Sequence, residues 1–486
     1  MAESDPTRGL SPFTREVREL ITRQGLTISS GSTVAQAAGI MASSRVGSVV
    51  VMAGSQPVGI VTKTDMVRRV VAEGLSGRAL VDEIMTREII SIEGRRPVFE
   101  GLMLMIQNNI GHLLVTDDAG TIGVVSERDW LTFQRHHPAA LFQQMDVAQS
   151  VAQLAKLRRQ ANSLVRAIFG EEGTAVALTE LATEINDRTS RRVIELALEV
   201  KGPAPVPFAW IAMGSEGRGE QTLSTDQDNG IVFQDIAESR LEETRSWFLD
   251  FAELAVEGLV ECGFPRCKGN TMATNPDLCL SKTEWEHLFS ELVDNPDPES
   301  LLKASIYFDF RCLLGDDTLV DGLWESLLKR IERTKGFLRF MGGEGEVFGG
   351  VPVNSPGWKL RRLVGITPPP IDIKKSAVAP IVRSLRALAL GCGIKETNTL
   401  RRLELVQEQG ALPDDLAQAV RSAYDFVMLL RIRQHIRQQD QGREPDNVVK
   451  FKELNPLQGR FLVQSLYTIV DLEGYVKDKF GGVAVF

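Results

Sequence analysis

The first 135 residues align with themselves, without a gap, at an offset of 64 positions. Val34 falls on Val98, Met41 on Met105, Val46-Gly47 on Ile110-Gly111 and Val49-Val50-Val51 on Leu113-Leu114-Val115. The longest match carries Gly59-Ile60-Val61-Thr62-Lys63-Thr64-Asp65 onto Gly123-Val124-Val125-Ser126-Glu127-Arg128-Asp129. A gapless tandem duplication obliges both copies to share one local fold. Each reads as a helix (VAQAAGIMASSR; VFEGLMLMIQNN), a short apolar strand, a turn (GSQP; DDAG), a second strand and a helix opened by Thr/Ser-x-x-Asp, together a compact β-α-β-β-α unit.

The residues opening that last helix admit two readings. Thr62 and Ser126 stand where an N-cap belongs, and Asp65 and Asp129 stand three residues on, where a carboxylate favours the helix dipole. Alternatively the hydroxyl and the helix N-terminus bind phosphate, while the Asp accepts hydrogen bonds from a ribose diol. Through GIVTKTD and GVVSERD, the helix before each GSVVV or GHLLV strand, and the DEIMT entry to the second copy, the pair resembles tandem CBS domains. That resemblance implies a regulatory module with an adenine nucleotide in the cleft between copies, and with Thr62, Asp65, Ser126 and Asp129 as its contacts. It also implies association into a homodimer.

The chain has 486 residues, 43% hydrophobic and 24% charged, enough for several domains. No apolar run approaches the roughly 18 residues of a spanning helix, and MAESDPTRGLSPF lacks the order of a secretory signal, so a cytoplasmic protein is expected. Five irregularly spaced cysteines fit reduced thiols of the core, and Cys262-x4-Cys267 with Cys279 and His287 matches no common zinc spacing. A formal charge of -9 gives no general attraction to nucleic acid or anionic membrane; Arg431, Arg433 and Arg437 read as a solvated helix face.

Helical periodicity then runs from His136 to Lys201 until KGPAPVP breaks it. Phe208 to Met213 follow as a buried strand ending at Gly214-Ser215, a turn that permits close backbone approach and suits a phosphate chain. Eleven positions after Ser215 comes Asp226, with Asp228 on the same face of a second strand, where paired carboxylates bind a hard cation such as Mg²⁺ (or Mn²⁺). Turn and acid pair in this order point to a metal-bound nucleoside triphosphate and displacement at its α-phosphorus.

WIAMGSEGRGEQTLSTDQDNGIVF resembles the DNA polymerase β-like nucleotidyltransferases, in particular those related to the uridylyltransferase of PII signalling proteins. GFPRCKGNTMATNP and SIYFDFRCLLGD look like further segments of that family. The resemblance implies an NTP donor, a third carboxylate on a later strand, for which Asp309 in Ile306–Arg311 is the candidate, and phosphate binding by Gly214, Ser215 and Arg218. Pairing with Arg311 is the alternative for Asp309, and Glu220 would cap or orient the helix. Asn270, Met272 and Asn275 could reach the nucleotide or merely build a loop. Beyond residue 345 the spacing predicts a helical bundle in which Lys374, Lys375, Arg383 and Lys450 are solvent-exposed or meet phosphate. No histidine is followed by Asp, so the hydrolase of the PII-modifying enzymes is missing.

The expected fold is therefore a multi-domain α+β chain: an N-terminal tail (1–16), a CBS pair (17–135), a helical linker (136–201), a nucleotidyltransferase domain with a small mixed sheet (202–345) and a C-terminal helical domain (346–486). The expected function is CBS-regulated transfer of a nucleoside monophosphate to a protein hydroxyl. A catalytically silent nucleotide sensor, or a transferase acting on RNA or a small molecule, is the alternative.

Overall fold

The computed structural model describes residues 16–21, 26–44, 46–117, 120–126, 129, 138–169, 175–222, 225–344, 353, 355, 358 and 368–481. Residues 1–15 of the expected tail and most of the helix expected after Ser126 lie outside the described residues. The chain divides into two compact units: Met1–Leu141 with Ala167–Gly173, and Phe142–Arg166 with Thr174–Phe486.

In the first unit the duplication is visible strand by strand. Strands β1 (Thr27–Ser29), β2 (Ser48–Ala53) and β3 (Gln56–Thr62) recur as β4 (Ser91–Glu93), β5 (His112–Asp117) and β6 (Gly120–Ser126). Helix α1 (Val34–Ser44) recurs as α2 (Val98–Gln107). In each three-stranded sheet the first pair is parallel and the second antiparallel, and even the register shift recurs, at Val51/Met52 and at Val115/Thr116. Val34, Ala37 and Met41 of α1 recur at helical spacing and pack on Val49, Val51 and Val61, which alternate at strand spacing.

The second unit is built on a four-stranded sheet of order β10-β7-β8-β9, made of β7 (Phe208–Ala212), β8 (Asn229–Phe233), β9 (Cys279–Ser281) and β10 (Arg311–Gly315). β7 runs antiparallel to β8 and β10, whereas β8 and β9 are parallel. Every residue of β7 and β8 is buried, because helices cover both faces. Phe248 and Phe251 of α6 (Glu238–Glu261) pack on Phe208, Trp210 and Phe233. Trp285 of α7 (Lys282–Asp294) donates its indole N–H to the Ile231 carbonyl.

Two expectations change here. Helices α3 (Val151–Phe169) and α4 (Ala175–Lys201) were expected as a linker, yet α4 and most of α3 are built into this unit. Arg158 of α3 reaches the Cys262 carbonyl and the Asn186 side chain and lies 3.7 Å over the Phe264 ring; Arg191 of α4 donates to the Leu313 carbonyl. The strand expected over Ile306–Arg311 is instead the end of helix α8 (Pro298–Tyr307) and a turn, and only Arg311 enters β10. Pro298 at the first turn and Asp297, which caps Ser300, start that helix and carry it through the apolar run. After α9 (Asp317–Arg333), the C-terminal region is helical as expected: α10 (Ala379–Gly391), α11 (Thr399–Glu408), α12 (Asp414–Asp440) and α13 (Pro456–Gly481). A two-residue pair, β11 (Ile371–Asp372) with β12 (Val448–Val449), is added to it. These helices share one hydrophobic core with the sheet, from Ile211 and Trp285 through Leu385 to Leu466.

Candidate functional site

The last rung between β7 and β8 is the Met213 N–H donating to the Asp228 carbonyl at 2.8 Å. Gly214 then turns the chain with φ +57° into the short helix α5 (Gly214–Gly217). A Cβ at Gly214 would stand 2.9 Å from Asp228 Oδ2, so the missing side chain lets the carboxylate lie against the turn. Gly217 is stricter: a Cβ there would meet the Asp309 carbonyl oxygen at 1.7 Å.

Asp226 and Asp228 lie in an extended segment just before β8, not within it, because the ladder to β7 ends at that last rung. Their alternation survives. Gln227 between them is buried and donates to the Phe264 carbonyl at 2.9 Å, while Asp226 is exposed and Asp228 half-buried. One oxygen of each acid and the Cys267 sulfur lie within 4.8 Å of one another. Burial, and then the neighbouring Asp226 charge, push Asp228 up to about 6, partly offset by a hydrogen bond from the Cys267 thiol and by Lys374 and Arg218. Two neighbouring carboxylates whose charge is only partly compensated fit a divalent cation.

Sequence reasoning did not give Cys267 a role, and topology explains why it belongs here. β8 and β9 are parallel, so the segment before β9 returns to the end of the sheet that holds the segment before β8. Asn229 fastens the returning loop, donating its N–H to the Thr271 carbonyl at 3.1 Å and accepting from the Ala273 N–H at 2.8 Å. Met272 is buried, and Asn275 donates to the Asn270 carbonyl and caps Asp277, so both serve the loop.

Asp309 is not brought to the acid pair. It is fully buried, and its carboxylate accepts from Arg402 Nη1 at 2.6 Å, Arg218 Nη1 at 2.7 Å, Arg386 Nε at 2.9 Å and Arg386 Nη2. Burial alone would raise its pKa; the Arg386 and Arg402 charges, with Arg218, overcome that and hold it well below the carboxylate range. With both oxygens occupied, Asp309 has no free lone pairs for a metal, which corrects the third-carboxylate expectation. Arg311 is not its partner either, since it bonds Asp187 at 2.7 Å and the Glu216 carbonyl at 2.9 Å.

Arg218, expected at the phosphates, is committed to Asp309 and, through Nε at 2.7 Å, to Glu220. Glu220 in turn accepts from the Thr399 N–H at the start of α11, so it caps a C-terminal helix. Thr397 Oγ1 reaches the Gly217 carbonyl and Asn398 Nδ2 the Arg218 carbonyl. The C-terminal helices thus clamp the turn from behind. From the same region Lys374 senses both Asp226 and Asp228: desolvation and then the Arg431 charge lower its pKa, against the pull of the two acids. Arg431 is buried rather than on a solvated face, donating to Asn447 at 2.9 Å beside His435, whose imidazole burial pushes down to about 4. Glu216, also missed from sequence, is buried in the turn and pushed up to about 8, first by burial and then by Asp187. A groove of about 270 Å³ beside Gly219 and Glu220, lined also by Asn398, Arg401 and Tyr424, does not include the acid pair.

In the first unit both copies close the same Thr/Ser-to-Asp contact, and in the first copy it caps the helix that follows. Thr62 N–H and Oγ1 donate to Asp65 Oδ2 at 2.8 and 2.7 Å; Ser126 N–H and Oγ donate to Asp129 Oδ2 at 2.9 and 2.5 Å. His112 joins the copies: its ring lies where a Gly47 Cβ would be 2.9 Å away, and both Asp129 and Asp65 act on it electrostatically.

A duplicated β-α-β-β-α pair ahead of a mixed-sheet domain, with a Gly-Ser turn and an acid pair, defines a CBS-linked nucleotidyltransferase-type protein. Residues 17–72 and 81–136 match the CBS domain family, 159–299 match "Putative nucleotidyltransferase DUF294", and 356–480 match "Putative nucleotidyltransferase substrate binding domain". The chain thus carries a CBS domain pair, a DUF294 putative nucleotidyltransferase domain and the substrate-binding domain that goes with it. The match from residue 159 agrees with the placement of α3 and α4 in the second unit. The CBS domain-containing protein YhcV of Bacillus subtilis is 28% identical over 124 residues, 26% of this chain and 89% of that protein. The uncharacterized protein MK0525 of Methanopyrus kandleri is 31% identical over 132 residues, 26% of this chain and 67% of that one. Among solved structures, the CBS domain protein PAE2072 from Pyrobaculum aerophilum, complexed with AMP, is 26% identical with a TM-score of 0.23, covering 26% of this chain and 96% of that chain. Among the described residues no helix is long and apolar enough to cross a membrane.

Proposed function

We propose that this protein is a cytoplasmic, divalent-cation-dependent nucleotidyltransferase that moves a nucleoside monophosphate from an NTP to a hydroxyl of an acceptor protein, under control of an adenine nucleotide at the CBS pair. The observation that carries the reading is the convergence of Asp226 and Asp228 beside the bare Gly214 turn, where burial and then the Asp226 charge push Asp228 up to about 6. Asp226 and Asp228 would hold Mg²⁺ or Mn²⁺, which when bound neutralises the triphosphate and supports the attacking and leaving oxygens. Gly214 and Ser215 give the phosphates close backbone approach, and Lys374 supplies positive charge from the C-terminal region. The acceptor oxygen bonds to the α-phosphorus as the α–β bridge breaks, pyrophosphate leaves, and the hydroxyl proton passes to solvent. Asp309 and Arg218 hold the turn and have no part in the transfer itself.

At the CBS pair, support comes from the matched Thr62–Asp65 and Ser126–Asp129 constellations and from His112, on which both acids act. A ligand there controls transfer only by binding the active and inactive arrangements with different affinity. The test is transfer of α-phosphate label from each of the four NTPs into lysate proteins, by the wild type and by Asp226→Asn/Asp228→Asn, with and without AMP. A labelled band made by the wild type alone supports the reading. No band from a folded, nucleotide-binding protein favours a silent sensor, and label in RNA or a small molecule redirects the acceptor.

A further inference from the structure

Helix α12 turns Arg431 inward, and nothing around it neutralises it. The residue is only 8% exposed. Its Nε donates to Asn447 Oδ1 at 2.9 Å, whereas its two Nη atoms have no partner among the described residues and are not sealed from solvent. Glu220 and Asp372 act on it electrostatically, but Glu220 is held by Arg218 and the Thr399 N–H, and Asp372 accepts from the Lys375 N–H. A guanidinium kept this far from water without a carboxylate is costly until an anion pairs it.

A second cation lies near it. Lys374 is exposed, yet desolvation and then the Arg431 charge are the largest influences on its ammonium, ahead of Asp226 and Asp228. An accessible ammonium that the protein still desolvates stands in a cleft, and this one feels Arg431 and the acid pair together. Among the described residues neither cation is in an ion pair. The guanidinium is also braced. Asn447 Oδ1 faces His435 Nε2 at 3.1 Å, so that nitrogen carries the ring hydrogen and Nδ1 is left to accept from Thr222 Oγ1 at 3.4 Å. Burial and then Arg431 push the imidazole down to about 4, so it stays neutral and ties Arg431 to the segment leading to Asp226 without adding charge.

We propose that Arg431 and Lys374 bind the outer phosphates of the triphosphate, with Asn447 and His435 as positioning residues for the guanidinium. This rests on the reading of Asp226 and Asp228 as ligands of the cation that accompanies the NTP. With Nε fixed on Asn447, the two Nη atoms present paired donors that match two oxygens of one phosphate, and the Lys374 ammonium adds a point charge beside them. The β- and γ-phosphates are the part of the donor that leaves as pyrophosphate, so positive charge held there stabilises the departing group as well as the bound substrate. Both residues lie in the segment matched as substrate-binding, which on this account grips the donor's phosphate tail.

The test is calorimetric titration of the full chain with Mn²⁺ alone, and with inorganic tripolyphosphate in excess Mn²⁺, for the wild type, Arg431→Gln, Arg431→Lys, Asn447→Ala and Asp226→Asn/Asp228→Asn. Arg431→Gln should lower tripolyphosphate affinity on the order of tenfold to a hundredfold, with Mn²⁺ affinity little changed. Arg431→Lys, which keeps the charge and loses the fork, and Asn447→Ala, which frees the guanidinium, should fall between it and the wild type. Thermal midpoints without ligand separate this from a structural role: removing an uncompensated buried cation should leave the midpoint of Arg431→Gln unchanged or raised. Equal tripolyphosphate affinity in the wild type and Arg431→Gln, or a lowered midpoint with unchanged affinity, overturns the phosphate site. So does a wild type that binds Mn²⁺ at the acid pair but no tripolyphosphate, and in each of these cases the metal reading stands. Mn²⁺ binding that is absent in the wild type, or unaffected in the double Asn variant, overturns both.

Discussion

Replacing Asp309 by Asn separates a structural from a catalytic role. The carboxylate is fully buried among Arg218, Arg386 and Arg402, of which Arg402 is fully buried and Arg386 nearly so. The amide keeps the shape but removes the negative charge that compensates three guanidiniums. Breaking a buried ion pair by removing one partner costs about 3–5 kcal/mol, and the fully enclosed geometry puts this case at the upper end. Five of the six tryptophans lie between residues 210 and 358, so their fluorescence reports on the unit that holds the cluster. With a urea m-value of about 3 kcal/mol/M, the midpoint should fall by about 1–1.7 M, toward the larger figure. The gap should also depend on pH. The Asp309 carboxyl sits below its unfolded value near 3.8, so its contribution is present above that value and is lost as the pH falls further. Wild type and variant should therefore draw together in acid. A variant with an unchanged urea midpoint but no cation binding would refute the reasoning and restore Asp309 as a metal ligand.

Glu216→Gln should stabilise the protein above neutral pH. The folded carboxyl is pushed up to about 8 from 4.5, so the wild type loses stability relative to the amide as the pH rises between those values, by on the order of 4 kcal/mol. Thermal midpoints at pH 5 and pH 8.5 measure it, and a constant difference contradicts it. Gly217→Ala should fail to accumulate as folded protein, since a methyl group 1.7 Å from the Asp309 carbonyl oxygen cannot be relieved by a side-chain rotation; soluble yield and circular dichroism decide it. Mn²⁺ affinity should fall as the pH drops through about 6, where Asp228 takes up a proton, and calorimetry at pH 5 and 7.5 reads the change.

The duplication was legible because strand and helix periodicities repeat at one offset, and both copies obey it to the register shift. Gly214, Asp226 and Asp228 were legible because they are near in sequence and because Gln227 between them takes the inward position. Asp309 misled for a physical reason. A lone acid in an apolar run signals burial but does not name its partners, and Arg218, Arg386 and Arg402 come from positions up to 93 residues away. Cys267 and Lys374 reach the acid pair through the parallel β8–β9 return and the C-terminal region, which local spacing does not encode. The helices expected as a linker likewise show in sequence only an apolar face, which is the same whether it meets another domain or the sheet.

The central claim is that Asp226 and Asp228 bind a nucleoside triphosphate through a divalent cation. Calorimetric titration of a non-hydrolysable NTP analogue, with Mn²⁺ and with chelator, into the wild type and Asp226→Asn/Asp228→Asn tests it most directly. Saturable binding that requires both the cation and the two carboxylates is the predicted result. Binding of equal strength in the chelator, or in the double variant, would contradict it.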